Sequence, residues 1–280
     1  MIEALQYDFM RNALAAGLLA SVACGIVGSY VVVNRVALLS GGIAHAAYGG
    51  IGLGYFFGFN PVIGAAVFSV GSALGMGLIQ RKTRQRTDTL IAVMWAIGMA
   101  FGILLVDLAA GYKADLLSYL FGSILAVPTS DLIIMAVLDI VIVLLVILFY
   151  KELLSISFDE TYAEVSGVPV NGIYLMLLCL VAITVVMLMR VVGLIMVIAL
   201  LTIPAAIASL FAKSLKATMI LSTVLSAVFI LIGLSLSYAL DLTSGAAIIL
   251  VAGGAYLLSL IVRPLGRRRT SPARTHHGSA

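Results

Sequence analysis

The sequence predicts an all-α fold, a polytopic transmembrane helical bundle of about nine membrane segments (eight to ten), on three observations. First, 63% of the 280 residues are hydrophobic, only 10% are charged, and mean hydropathy is +1.21. Soluble domains are about a quarter charged, so 28 Asp, Glu, Lys and Arg cannot clothe a water-facing globule of this size. Second, the charges are separated by gaps of helix-spanning length. No charged residue falls at 12–34, 36–80, 89–106, 165–189, 191–212, 217–240 or 242–262. Roughly 20 apolar residues cross a bilayer as a helix, so most gaps fit one crossing and 36–80 fits two. Third, the period-2 alternation of an outer-membrane barrel is absent. Hydrocarbon offers the backbone no hydrogen bonds, which leaves helices as the spanning elements.

In chain order the segments fall at about 12–34, 38–58, 61–80, 89–107, 131–150, 171–189, 191–209, 217–240 and 243–262. Asn60-Pro61 punctuates the second and third. Pro204 interrupts the seventh, which is expected to be short or broken. Residues 115–128 are too apolar for a plain loop and too short for a span, and their LLSYLFGSI core suggests an interfacial or re-entrant helix. Residues 1–265 form the membrane domain, and 266–280 read as a basic, disordered tail carrying His276 and His277. Glu3 and Asp8 precede a first apolar run too long for a signal-peptide core, so no removable leader is expected.

Lys and Arg concentrate on the cytoplasmic side of membrane proteins. With RKTRQR (81–86) placed inside, nine crossings put 13 of the 16 cations in the cytoplasm, leaving Arg11, Lys113 and Arg190 outside. The N-terminus is then external and the C-terminus cytoplasmic. Glu3, Asp8, Asp107, Asp115, Asp131 and Asp241 map to the outer face. Two readings of that bias stay open: attraction of cations or a basic partner, and the ordinary charge of polar loops. The positive-inside cations account for the net charge of +4, and no nucleic-acid partner is implied.

Candidate functional residues begin in the second segment. Gly42, Ala46, Gly50, Gly54 and Gly58 recur every four positions, a small-residue stripe that lets another helix approach closely. His45 lies on the adjoining face. It is the only histidine within the membrane segments, and its readings are a packing residue or a pathway group that binds divalent metal. Asp139 sits mid-span, where a carboxylate is protonated, paired, or exposed to a water-filled path. Asp115 and Asp241 lie near outer helix ends. Cys24 and Cys179 are isolated within spans and read as structural. No HExxH, CxxC or Ser/His/Asp grouping and no GxxxxGK[ST] loop is present, so neither hydrolytic chemistry nor ATP cleavage is expected of this chain. Residues 151–170, KELLSISFDETYAEVSGVPV, read as a polar amphipathic helix ended by Gly167 and Pro169. Phe158, Tyr162 and Val165 fall at helical spacing beside Asp159, Glu160 and Glu164. An interfacial helix and a docking helix for a cytoplasmic partner both fit.

Taken in order, LLSGGIAHAAYGGIGLGY, ADLLSYLFGSIL, FDETYAEVSGVPV, VVGLIMVIALLTIPAAIASLFAKS and LSYALDLTSGAAIILVA resemble the permease subunits of zinc/manganese-type metal ABC importers. A more distant likeness is to siderophore and cobalamin permeases. The resemblance spans nearly the whole chain and implies a type II ABC importer-like bundle in a prokaryotic cell membrane. It further implies a homodimer of this chain that encloses the pathway, two cytoplasmic ATPase subunits and an extracytoplasmic metal-binding protein. Zinc or manganese, with iron a further choice, would be the cargo, and ATP would act through the partner subunit. It makes Phe158, Asp159, Glu160, Tyr162, Ala163, Glu164, Gly167 and Pro169 the ATPase-coupling segment. Many members carry an Asp four residues before the histidine that matches His45, and the two coordinate metal. Here that position is Gly41, so the i,i+4 pair is incomplete. Two copies of His45 across a dimer axis, with Tyr48, Ser40 or an acid from another helix, are the remaining ligand set. The competing class is an ion-coupled secondary transporter of cations using Asp139 and His45. Such folds show internal repeats, and the two halves of this chain show no such similarity.

Overall fold

The computed structural model describes residues 6–82, 87–109, 122 and 124–267. Among them every regular element is helical: α1 (Asp8–Val33), α2 (Ala37–Phe57), α3 (Pro61–Lys82), α4 (Thr87–Leu108), a 3₁₀ turn (Ile124–Ala126), α5 (Thr129–Leu148), α6 (Tyr150–Phe158), α7 (Glu160–Val165), α8 (Val170–Val192), α9 (Leu194–Phe211), α10 (Leu215–Leu240) and α11 (Ser244–Arg267). Each predicted membrane segment coincides with one long helix. Seven of these helices are long and apolar enough to cross a membrane. Two fall short of that measure: α2, diluted by its glycines, His45 and tyrosines, and α9, whose apolar stretch is shorter. The structure therefore carries seven candidate spans, and the count of nine does not follow from it alone. Asp115, with most of the expected re-entrant stretch, residues 83–86 of the basic loop and the tail from 268 lie outside the described residues.

Chain reversals use the local chemistry of each turn. Arg35 adopts φ +57° just past α1, and the Val36 N–H donates to the Val31 carbonyl, closing the helix end. Gly193 separates α8 from α9 at φ +80° and ψ 160°, a conformation only glycine takes without strain. Pro204 lies inside α9, yet α9 is one 18-residue helix. Of the two outcomes expected for this segment, the structure shows the short one.

Inside the bundle, α1, α2, α8 and α9 bury most of their residues, whereas α4, α5 and α11 turn apolar side chains outward. Ile140, Leu144 and Ile147 of α5 and Leu250 of α11 are each more than half exposed, which is costly in water and natural against hydrocarbon. Between helices in lipid the hydrophobic effect gives little, so close backbone approach carries association. The most extensive packing in the fold is that of α2 against α4 and α3. A Cβ at Gly50 would stand 2.1 Å from the Gly64 carbonyl oxygen, and one at Gly54 would stand 2.5 Å from Pro61 Cα. Gly42 faces Ile91 of α4, and a Cβ on Gly98 would lie 2.6 Å from Ala46 Cα. The stripe thus serves two neighbours, α4 near its start and α3 near its end. Gly58 lies outside this packing: it is the left-handed C-cap of α2, at φ +73° with nothing within 4 Å.

Gly50→Leu is expected to destabilise the bundle by about 1–3 kcal/mol or more, because the added side chain meets backbone that cannot yield. Gly71→Leu, at an open position on α3, should change little. Thermal unfolding of both variants in detergent, followed by size-exclusion, checks the contrast.

Candidate functional site

Two places bring functional side chains together. The first is the middle of α2. His45 is 8% exposed, and its Nδ1–H donates to the Gly41 carbonyl at 2.9 Å. A carbonyl can only accept, so Nδ1 holds the proton and Nε2 presents the lone pair of the neutral ring. That arrangement, one ring nitrogen tied to backbone and the other free, is how metal-binding histidines are oriented. Trp95 of α4, the only tryptophan in the chain, stacks on the imidazole with centroids 3.6 Å apart and planes 27° from parallel. A Cβ at Gly41 would stand 3.2 Å from Ile198 Cδ1 and 3.6 Å from Trp95 Cζ3. Indole and isoleucine therefore occupy the flank where an acidic side chain at position 41 would begin. Tyr48 is buried one turn further along α2.

Of the other predicted acids, the described residues include Asp139 and Asp241. Asp139 is 6% exposed on α5, and neither carboxylate oxygen has a hydrogen-bond partner. Helix α5 packs on α1, α6 and α8, while α2 packs chiefly on α3 and α4, so Asp139 and His45 sit among different neighbours. Asp241 is exposed and caps α10 in the left-handed region at φ +54°, a role Asp tolerates. Among the described residues no group of three His, Cys, Asp or Glu is placed to hold a metal, and Cys24 and Cys179 are both free thiols.

The second place is the polar segment after α5. The single amphipathic helix expected over 151–170 is instead two helices. At Asp159 the backbone turns extended (φ −151°, ψ 102°), and its side chain accepts from the Tyr162 N–H at 2.9 Å, capping α7. The capping signal lay in the FDETY stretch itself, hidden by the apolar spacing that continues across it. α7 ends in a Schellman motif, with Val168 N–H donating to the Ala163 carbonyl and Gly167 N–H to that of Glu164. Gly167 sits at φ +82° with open space around it, and Pro169 precedes α8. Ala163 is fully buried, and this anchors a helix whose other apolar side chains face outward. Phe158, Tyr162 and Val165 are 71%, 66% and 84% exposed, and Glu164 is exposed beside them.

Arg81, singled out only for topology in the sequence, proves central here. At the end of α3 it donates to Glu160 at 2.5 Å and to Asn171 at 2.8 Å, and its guanidinium lies 4.4 Å above the Tyr174 ring. Tyr174 in turn donates to Gln80 at 2.8 Å. One planar cation therefore ties α7 and α8 to α3, the helix that meets α2 at Gly50. Beside it is a cavity of about 710 Å³ whose lining includes Arg35, Arg81, Asp88, Ser157 and Glu160. The basic loop's first residue and the α6–α7 segment thus lie at one end of the bundle.

A helical bundle with lipid-type surfaces, a buried histidine and a polar segment protruding at one end defines a polytopic membrane protein. Residues 6–263 match the ABC 3 transport family, and the chain belongs to it. It is a multi-pass membrane permease of an ABC transporter, with ATP hydrolysis carried by a separate subunit. That membership removes the ion-coupled secondary transporter as a reading. The chain is 58% identical over 263 residues, 94% of both chains, to an uncharacterised membrane protein of Synechocystis sp. (strain ATCC 27184 / PCC 6803 / Kazusa). It is 36% identical over 260 residues, 93% of this chain and 92% of the relative, to the manganese transport system membrane protein MntC of Listeria monocytogenes. Among solved structures, PsaBC from Streptococcus pneumoniae in complex with Fab superposes with a TM-score of 0.86 at 34% identity, covering 95% of this chain and 96% of that one.

Arg81→Ala should loosen α7 while the bundle stays folded. Backbone hydrogen exchange across 160–168 is expected to accelerate about fivefold, the scale of a partly exposed ion pair. Exchange in α1 should not change.

Proposed function

We propose that this chain is the permease of an ATP-driven importer of a divalent transition metal, with manganese the first candidate and zinc and iron behind it. The observation that carries the proposal is His45: buried, fixed by its Gly41 bond, and presenting Nε2 on the helix most tightly enclosed by the bundle. Relatives named for manganese transport supply the cargo, and imidazole suits such ions. Gly41 leaves the helix without a carboxylate, so a homodimer would offer one His45 from each chain, with Tyr48 nearby. Asp139, Asp115 and Asp241 would act as further stations along the path. Metal capture would fall to an extracytoplasmic metal-binding protein.

The exposed face of Phe158, Tyr162 and Val165, with Asp159, Glu160 and Glu164, would seat in a cytoplasmic ABC ATPase. Ala163, Gly167 and Pro169 hold its shape. Closure of that ATPase on ATP would push α7, and through Arg81 would move α3 against α2. The threading that suits this has nine crossings, the N-terminus outside and the C-terminus cytoplasmic. It is supported by the cavity that Arg35, Arg81, Asp88, Ser157 and Glu160 line together at one end of the bundle.

His45→Ala is expected to lower metal uptake by proteoliposomes of the whole transporter roughly tenfold or more, with normal yield of folded protein. Trp95 supplies a direct readout. Manganese or cobalt should quench its fluorescence in the wild type and fail to do so in His45→Ala. Quenching that persists in the variant would return His45 to a packing role. Glu164→Arg should abolish co-elution with the ATPase subunit while the permease still inserts, and undiminished co-elution would reject the docking assignment.

A further inference from the structure

The lipid-facing surface carries a groove that the transport reading leaves unused. Helices α5 and α10 each pack on α1 and make at most marginal contact with one another. Between them a cavity of about 930 Å³ opens outward, floored by Ile26 of α1. Its depth has a local cause. A Cβ on Gly25 would stand 2.5 Å from the Thr223 backbone nitrogen, so α10 is drawn against α1 while α5 stays apart. The walls are apolar, with Ile147, Ile220 and Val224 each more than half exposed.

The mouth is different. Lys151, in the first turn of α6, and Lys216, in the first turn of α10, both border it. Lys216 Nζ lies 4.8 Å above the Tyr150 ring, which holds the ammonium at the rim. Glu152 also lines the mouth, and its Oε2 is buried without a hydrogen-bond partner. Two cations and one acceptor therefore stand over a slot of hydrocarbon character. The site asks for an apolar chain below, an anionic group at the level of the lysines, and a donor for Glu152. Basic pockets between membrane helices bind anionic lipid head groups in this way.

We infer that the groove between α5 and α10 binds an anionic phospholipid of phosphatidylglycerol type. Its acyl chain lies along Ile147, Ile220 and Val224, its phosphodiester accepts from Lys151 and Lys216, and a head-group hydroxyl donates to Glu152. One negative charge on the lipid matches the net +1 of the mouth, two lysines against one glutamate. The site stands on the membrane character of the chain and is independent of cargo, so its failure would leave the transport proposal untouched. A bound lipid would fill the gap beside α5 at the end of the bundle where α6 and α7 project.

The full-length chain, purified in micelles with equal phosphatidylglycerol and phosphatidylcholine, provides the test through native mass spectrometry of retained lipid. Wild type should retain phosphatidylglycerol in preference, and Lys151→Gln/Lys216→Gln should reduce that preference roughly tenfold. Val224→Trp, which fills the slot and keeps both lysines, should also abolish retention. Equal retention of the two lipids by wild type would overturn the proposal, as would a preference that survives either variant. Displacement of the lipid by inorganic phosphate would identify a plain anion site and overturn it equally.

Discussion

Close approach of α2 to its neighbours is the contact on which the rest of this structure depends. In lipid there is no water to expel between helices, so association rests on dispersion and on how near two backbones come. Gly50 against Gly64, Gly54 against Pro61 and Ala46 against Gly98 bring α2 within reach that any larger side chain would block. The same contacts fix the rotation of α2. They therefore decide that His45 is buried and that its ring lies flat on Trp95. The groups that carry the proposed chemistry are oriented by residues that have no chemistry of their own.

The opposite principle governs the end of the bundle near α7. There polar contacts do the joining. Arg81 contacts Glu160, Asn171 and the face of Tyr174, and lysine could not match that planar set of directions. Helix α3 carries Arg81 at one end and Gly64 near the other, so one helix contacts both α7 and α2. Apolar side chains of α6 and α7 protrude at this end, and the ABC 3 transport family to which the chain belongs works with a separate ATPase subunit.

Position 41, four residues before His45, shapes one flank of the imidazole. With glycine at position 41, the adjoining space belongs to Trp95 and Ile198. An aromatic face then lies beside the imidazole, and the ring is held by stacking and a backbone bond.

Much of the architecture was legible in the residues themselves. Charge spacing located every long helix except α5, which carries Asp131 and Asp139, because burying an ion in hydrocarbon is costly enough to leave a mark on a membrane sequence. The small-residue recurrence of α2 announced close packing, and the missing nucleotide loop placed ATP chemistry elsewhere. Other features were undetermined by local pattern. The division of 151–170 into two helices turned on Asp159 capping α7, against an apolar spacing that runs straight through the break. The partners of Arg81 lie 79 and 90 residues away. Periodicity and composition report what each stretch of chain tolerates around it, whereas distances between stretches are set only when the helices close on one another.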